Sequence, residues 1–177
     1  MRAARQNDRI TLSFGAFEAQ VLLRIISTII QNYKIKPAEM GPKEAAVWYS
    51  TRGCESAKMS AEETRDWLEQ LHGYRSANLD RLESWAKQLA TAEEDHFELR
   101  VPLAEADKLI TLLNDHRLLA AARHDIGERE MDLRSLAAFH ALTPIQLNAL
   151  YEIHFLACLI EALLCLLPNS GADWQES

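Results

Sequence analysis

Glycine and proline are scarce, six and five in 177 residues. That is too few for the regularly spaced turns of an all-β sandwich or barrel. The glycines are also scattered, so no phosphate-binding loop, nucleophile elbow or dinucleotide fingerprint can be built from them. Cysteine is short as well. Cys54, Cys158 and Cys165 are an odd set, with two of them seven apart on one apolar stretch. This fits reduced thiols in a reducing cytosol better than a disulfide framework. Basic charge is in deficit: 19 Lys and Arg stand against 26 Asp and Glu, a net charge of −7. Nonspecific nucleic-acid binding depends on phosphate neutralisation by Lys and Arg, so that class is disfavoured. The most apolar run, residues 155–167, is interrupted by Glu161 and falls short of the roughly 20 residues a bilayer requires. Arg2 and Arg5 are followed by Asp8-Arg9 rather than by an apolar segment, so no signal peptide is expected. These absences point to a cytoplasmic protein without a membrane or nucleic-acid partner.

What is present is ordinary globular material, 48% hydrophobic and 25% charged, which excludes wholesale disorder. A chain of this length buries roughly 70% of its unfolded surface, and we expect a single domain over 1–177, ordered over 9–167 with a frayed tail at 169–177. Ile10-Thr11-Leu12-Ser13-Phe14 alternates with the period of a half-buried strand, as does Phe97-Glu98-Leu99-Arg100-Val101. Between and after them the apolar positions recur at helical spacing, over about 16–33, 61–73, 76–92, 103–122 and 144–167, with shorter helices near 43–50 and 133–141. Ser60 with Glu63 forms a capping box, and Gly73 is the expected C-cap of that helix. Thr143-Pro144-Ile145-Gln146 starts the last helix, and Pro168 is expected to stop it after Leu167. The fold class is therefore mainly α: about six helices with a small two-stranded β-ribbon from residues near 10–14 and 97–101.

Residues 10–26 and 97–113 share one pattern at a constant offset of 87: strand, short turn, then an amphipathic helix with Glu18-Ala19 or Glu105-Ala106 in its first turn. We expect the two strands to pair and the two helices to pack side by side on them. The alternative is a coincidence of common local patterns. The last helix is apolar nearly all round, and such a helix is either central core or an interface.

Chemistry-bearing residues are sparse. Cys54, beside Arg52 and Glu55, has no neighbouring His to act as its base, and reads as an ordinary loop cysteine. Glu93-x-x-His96 has the spacing used twice in di-iron bundles, but lacks a second copy. His116 and His124 are eight apart, no His-x-x-x-His or Cys-x-x-Cys occurs, and no metal or other cofactor is expected. His140 and His154, among apolar neighbours, read as core histidines. No catalytic residue stands out. The densest polar cluster in an otherwise apolar helix is Asn114, Asp115 and Arg117. Asn and Asp are poor mid-helix residues, so these side chains should have specific partners. They are either a packing network or a binding site.

At Leu113-Asn114-Asp115-x-Arg117-Leu118, with Glu18-Ala19, Glu105-Ala106 and Tyr151 in order, the chain resembles an uncharacterised bacterial domain-of-unknown-function family. Its actinobacterial members are encoded beside the Clp protease adaptor ClpS. The resemblance covers about 9–33 and 97–166; residues 34–96 read as a helical insertion, and the family's Trp at the position of Leu109 is missing. The resemblance implies a link to regulated proteolysis and supplies no catalytic residue. Together these features predict a non-enzymatic cytoplasmic interaction or adaptor protein that binds a protein partner or itself. The alternative is an enzyme of unrecognised type built around Asn114, Asp115 and Arg117.

Overall fold

Alternation at Ile10, Leu12 and Phe14 turns one side of a strand entirely apolar, and that side closes on the helices. The structure, a computed structural model, describes residues 1–49, 54, 56–91, 97–131 and 142–168. Three short strands, β1 (Arg2–Gln6), β2 (Arg9–Phe14) and β3 (Phe97–Pro102), form an antiparallel sheet in the order β1-β2-β3. The expected pairing of β2 with β3 is present, with Leu12 opposite Leu99, Ile10 opposite Val101 and Phe14 opposite Phe97. Ile10, Leu12, Leu99 and Val101 are fully buried, each stabilising the fold by roughly 1.5–3 kcal/mol relative to exposure.

β1 is an addition to the expected two-stranded ribbon. Four of its five residues are exposed and Ala3 alone among the five packs against the core, so it carries no alternation to read. It forms because Asn7, at φ 55°, closes a two-residue loop that sets Gln6 opposite Arg9. Asparagine tolerates that left-handed conformation better than most residues.

Among the described residues the helices are α1 (Ala16–Lys34), α2 (Pro42–Trp48), α3 (Ala61–Ser76), α4 (Leu79–Ala90), α5 (Ala106–Arg123), the single turn α6 (Glu128–Met131) and α7 (Pro144–Leu164). Both predicted capping boxes are formed. Ser60 Oγ accepts from the Glu63 N–H at 3.2 Å while the Glu63 carboxylate accepts from the Ser60 N–H at 2.7 Å, and Thr143 and Gln146 do the same at the start of α7. The helix expected near 133–141, the Glu93-x-x-His96 pair, His140, Arg52, Glu55 and the tail 169–177 lie outside the described residues.

Three boundaries differ from the sequence reading. Gly73 does not cap α3; its carbonyl accepts from the Ala77 N–H at 3.0 Å and the helix runs on to Ser76, whose Oγ donates to the Tyr33 carbonyl at 3.3 Å. Packing partners beyond the glycine keep the backbone helical, and the following helix starts later, at Leu79. Cys54 and Ser56 are helical rather than loop. α7 ends at Leu164, and the chain tightens through i→i−3 bonds from Leu166 to Leu163 and from Leu167 to Leu164 before Pro168.

One core joins the inner face of the sheet to α1, α2, α4, α5 and α7. A small satellite of Ala120, Ile126, Ala149, Leu150 and Ile153 ties the end of α5 to the start of α7. The two helices of the 87-residue pattern do not lie side by side along their length. α1 packs chiefly on α4, whereas α5 packs chiefly on α7 and α2, and the two meet over a short stretch only. α7 draws α5 away because it is the more apolar partner. At 21 residues, α7 is also longer than its most apolar run, and by length and composition alone it could cross a membrane. Seven of its side chains are instead buried in the fold.

Candidate functional site

The three sequence candidates sit on α5, where each residue turns by about 100°. Asp115 and Arg117 therefore point to different neighbours, and no site unites them. Asn114 and Arg117 are half-buried and have no hydrogen bond or ion pair among the described residues. Asp115 does have a partner. Its Oδ2 accepts from Arg75 Nε at 3.4 Å and Nη2 at 3.3 Å, from the last turn of α3.

Arg75 is the centre of the arrangement. Its guanidinium carbon lies 4.6 Å from the Trp48 ring centroid and 5.1 Å from that of Tyr49, which places the cation over two π-faces. Trp48 in turn meets Tyr33 edge-on, with centroids 5.4 Å apart. The Tyr49 hydroxyl lies 3.3 Å from His72 Nδ1. Four elements thus converge: the end of α1, the end of α2, the second half of α3 and the middle of α5.

Burial dominates the electrostatics. It pushes the Asp115 carboxyl above its usual range, against the opposing pull of the Arg75 charge and hydrogen bonds. It also pushes the Tyr33 hydroxyl well above its ordinary value, with the Asp115 charge adding to the effect, and raises Tyr49. The Tyr33 hydroxyl, Trp48 Nε1 and Arg75 Nη1 are buried and make no hydrogen bond of good geometry; the polar neighbours of the first two lie inside the cluster itself, Asp115 and Arg75 for the Tyr33 hydroxyl and the Tyr49 hydroxyl for Trp48 Nε1. A buried donor left wholly unsatisfied typically costs about 1–3 kcal/mol, and the polar contacts inside the cluster offset part of that cost.

A cavity of ≈370 Å3 opens beside them, lined by Tyr33, Leu71, Arg75, Lys108, Leu112 and Asp115 among others. A second groove, ≈820 Å3 and mainly apolar, runs between the turn at Pro37–Glu39 and α3, with Met59, Leu68 and His72 in its wall. No residue of α3 is fully buried, which leaves space on either flank of its apolar stripe.

The remaining candidates carry less chemistry. The Cys54 thiol is only 4% exposed, a poor position for a nucleophile. His116 is a buried residue between α5 and α7, with Nε2 3.7 Å from the Glu152 carboxylate. His116 and Arg24 together hold that carboxylate below its usual range despite the raising effect of burial, and Arg24 Nη2 donates to it at 2.6 Å. Among the described residues, no three His, Cys, Asp or Glu side chains gather as a metal would require.

Sequence reasoning found Asp115 and missed Arg75, Trp48, Tyr49, Tyr33 and His72. One signal was present: Arg75 continues the stripe of Leu68 and Leu71 at helical spacing, so a cation stands where the pattern calls for an apolar residue. No curated protein and no solved structure matches the chain. The model of one family, described as a domain of unknown function (DUF2017), matches residues 1–167, a span that includes residues 34–96, and the chain belongs to that family.

Proposed function

We propose that this is a non-enzymatic interaction protein of the cytoplasm that self-associates through α7. The observation that carries the reading is an exposed seam on that helix. Tyr151, Cys158 and Cys165 are all exposed and fall seven apart, the spacing of a helix–helix contact line. Phe17, 63% exposed, extends the seam at one end by meeting Tyr151 at a tilt, ring centroids 5.8 Å apart, and Leu164 is 54% exposed at the other. The small side chains at its centre allow close approach of a second helix. Glu161 is the one exposed charge on α7 among the described residues. An antiparallel pairing centred on Cys158 keeps the two copies of Glu161 apart.

The enzyme reading has less support, because Asp115 is engaged by Arg75 and Arg117 lies on another face of α5. A net charge of −7 gives a nucleic-acid partner little support. The family resemblance suggests regulated proteolysis as the process in which such an assembly would act.

Light scattering after size exclusion tests the seam. A dimer is expected for the wild type and a monomer with an unchanged melting temperature for Cys158→Glu. Copper–phenanthroline oxidation should link two wild-type chains covalently and fail with Cys158→Ser. A strictly monomeric wild type would refute the proposal.

A further inference from the structure

The three-stranded sheet has two edges, and they are treated differently. At β3 the Arg100 N–H donates to the Gln88 side chain of α4 at 2.9 Å. β1 forms the other edge, and among the described residues its backbone bonds to β2 alone. Such an edge carries a row of N–H and C=O groups that templates the addition of a further strand. The chain itself returns to this place. Arg5 Nη1 donates to the Leu166 carbonyl at 3.2 Å, so the end of α7 lies beside the second half of β1, two residues before the description of the chain stops at Pro168. Extended at about 3.3 Å per residue, residues 169–177 reach roughly 30 Å, ample for a turn and a strand alongside the five residues of β1.

The two segments are complementary in charge. β1 carries Arg2 and Arg5 with no acid before Asp8, whereas 169–177 hold Asp173 and Glu176 and no Lys or Arg. Arg2 is exposed and forms no ion pair among the described residues, and Glu98 on the same face of the sheet is taken by Arg100 at 2.8 Å. On the opposite face Ala3, Leu166 and Leu167 are partly buried at the margin of the core, which leaves an apolar shelf with a small side chain on the strand.

We propose that residues 172–176 add to β1 as a fourth, antiparallel strand with Trp174 opposite Ala3. The direction follows from the entry point, since the chain arrives at Arg5 and runs towards Arg2. Asn169-Ser170-Gly171 supplies the turn, with residue types that favour one. Alternation then sends Trp174 to the inner face, over Ala3 and beside Leu166 and Leu167, and Asp173 to the outer face, opposite Ala4 and diagonal to Arg2. Diagonal neighbours lie roughly 7–8 Å apart, within reach of an Arg side chain. The added strand covers the remaining edge and removes a large aromatic ring from water.

Amide hydrogen exchange and ring-to-methyl contacts, both read by nuclear magnetic resonance on the full chain, test the proposal. In an antiparallel pair alternate amides of β1 face away from β2. These should exchange about tenfold or more slowly in the wild type than in Trp174→Ser, the scale of one buried aromatic side chain. A cross-peak between the Trp174 ring and the Ala3 methyl group is expected, and Arg2→Glu, which sets an acid diagonal to Asp173, should weaken both signals. Both substitutions lie outside the core, so each variant folds. The proposal is overturned by outward amides that exchange as fast in the wild type as in Trp174→Ser, or by the absence of the Trp174–Ala3 cross-peak. Protection that rises with protein concentration and survives Trp174→Ser would overturn it too, because the edge would then be occupied by β1 of a second copy. Signals unchanged in Arg2→Glu would overturn the placement of Asp173 and with it the register.

Discussion

Replacing Arg75 by alanine removes a cation from two aromatic faces and leaves the Asp115 carboxylate with no counter-ion. The stacking is worth about 0.5–2 kcal/mol. Breaking a fully buried ion pair from one side costs roughly 3–5 kcal/mol, but the two side chains here retain 14% and 21% exposure, which places the pair below that range. The sum is a loss of about 2–4 kcal/mol in unfolding free energy, read by urea denaturation. Asp115→Asn should behave differently. Burial already pushes the Asp115 carboxyl up more than Arg75 pulls it down, so its charge is a net cost to the folded state. Removing that charge should destabilise by less than about 1 kcal/mol, in the range of a typical net hydrogen bond. The pH dependence separates the two. A raised folded-state pKa means that the folded chain holds the proton more tightly than the unfolded one, so this group's contribution falls as pH rises through the raised value. In Arg75→Ala the downward pull is gone, the folded pKa climbs further, and stability should recover as pH is lowered from neutrality towards the carboxylate range. The wild type should recover less over the same interval, and Asp115→Asn should show no such recovery. Equal costs for Arg75→Ala and Asp115→Asn, with matching pH profiles, would refute the assignment of burial as the dominant force on Asp115.

Two further outcomes follow from local geometry. Thr143→Ala removes the acceptor for the Gln146 N–H and should cost about 1 kcal/mol, the usual value of an N-cap, in the same urea measurement; Thr143→Ser should retain most of it. Glu152 is held below the usual carboxylate range, chiefly by His116 and then by Arg24, so its contribution is present above about pH 4.5 and is lost as pH falls through the lower folded value. Glu152→Gln should therefore flatten the acid limb of the stability profile, and an unchanged acid limb would show that the carboxylate gains nothing from its partners.

The elements that could be read from the sequence are those whose signal is carried by contiguous residues. Leu12 and Leu99 are central to two alternating runs and end up directly opposite one another, because alternation declares a buried face and two lone strands leave backbone groups that pair most readily with each other. The caps at Ser60 and Thr143 were legible for the same reason: donor and acceptor are three residues apart. What failed was what depends on a distant partner. β1 touches the core through Ala3 alone and is placed by its turn and by β2, so nothing within it alternates. Gly73 has the look of a stop because glycine is the commonest C-cap, yet whether a helix continues past it depends on what Tyr33, far back in the chain, offers to the next turn.

The candidate site shows the same division more sharply. Asp115 stands out because an acid in mid-helix is locally expensive, and that local cost is the visible half of a pair whose other half is forty residues away. Arg75 is unremarkable beside its neighbours, although it occupies a position in the stripe of Leu68 and Leu71. A long cation at such a position is stable only where aromatic rings and a carboxylate replace the water it leaves, and those are Trp48, Tyr49 and Asp115, on two other helices. A cation in an apolar stripe and an acid in an apolar helix are each locally unfavourable, and two such features of opposite charge in one domain are explained most simply by each other. A local rule broken at two separate places is therefore a single hypothesis of contact that a sequence alone can raise, and Arg75 with Asp115 is the case that supports it.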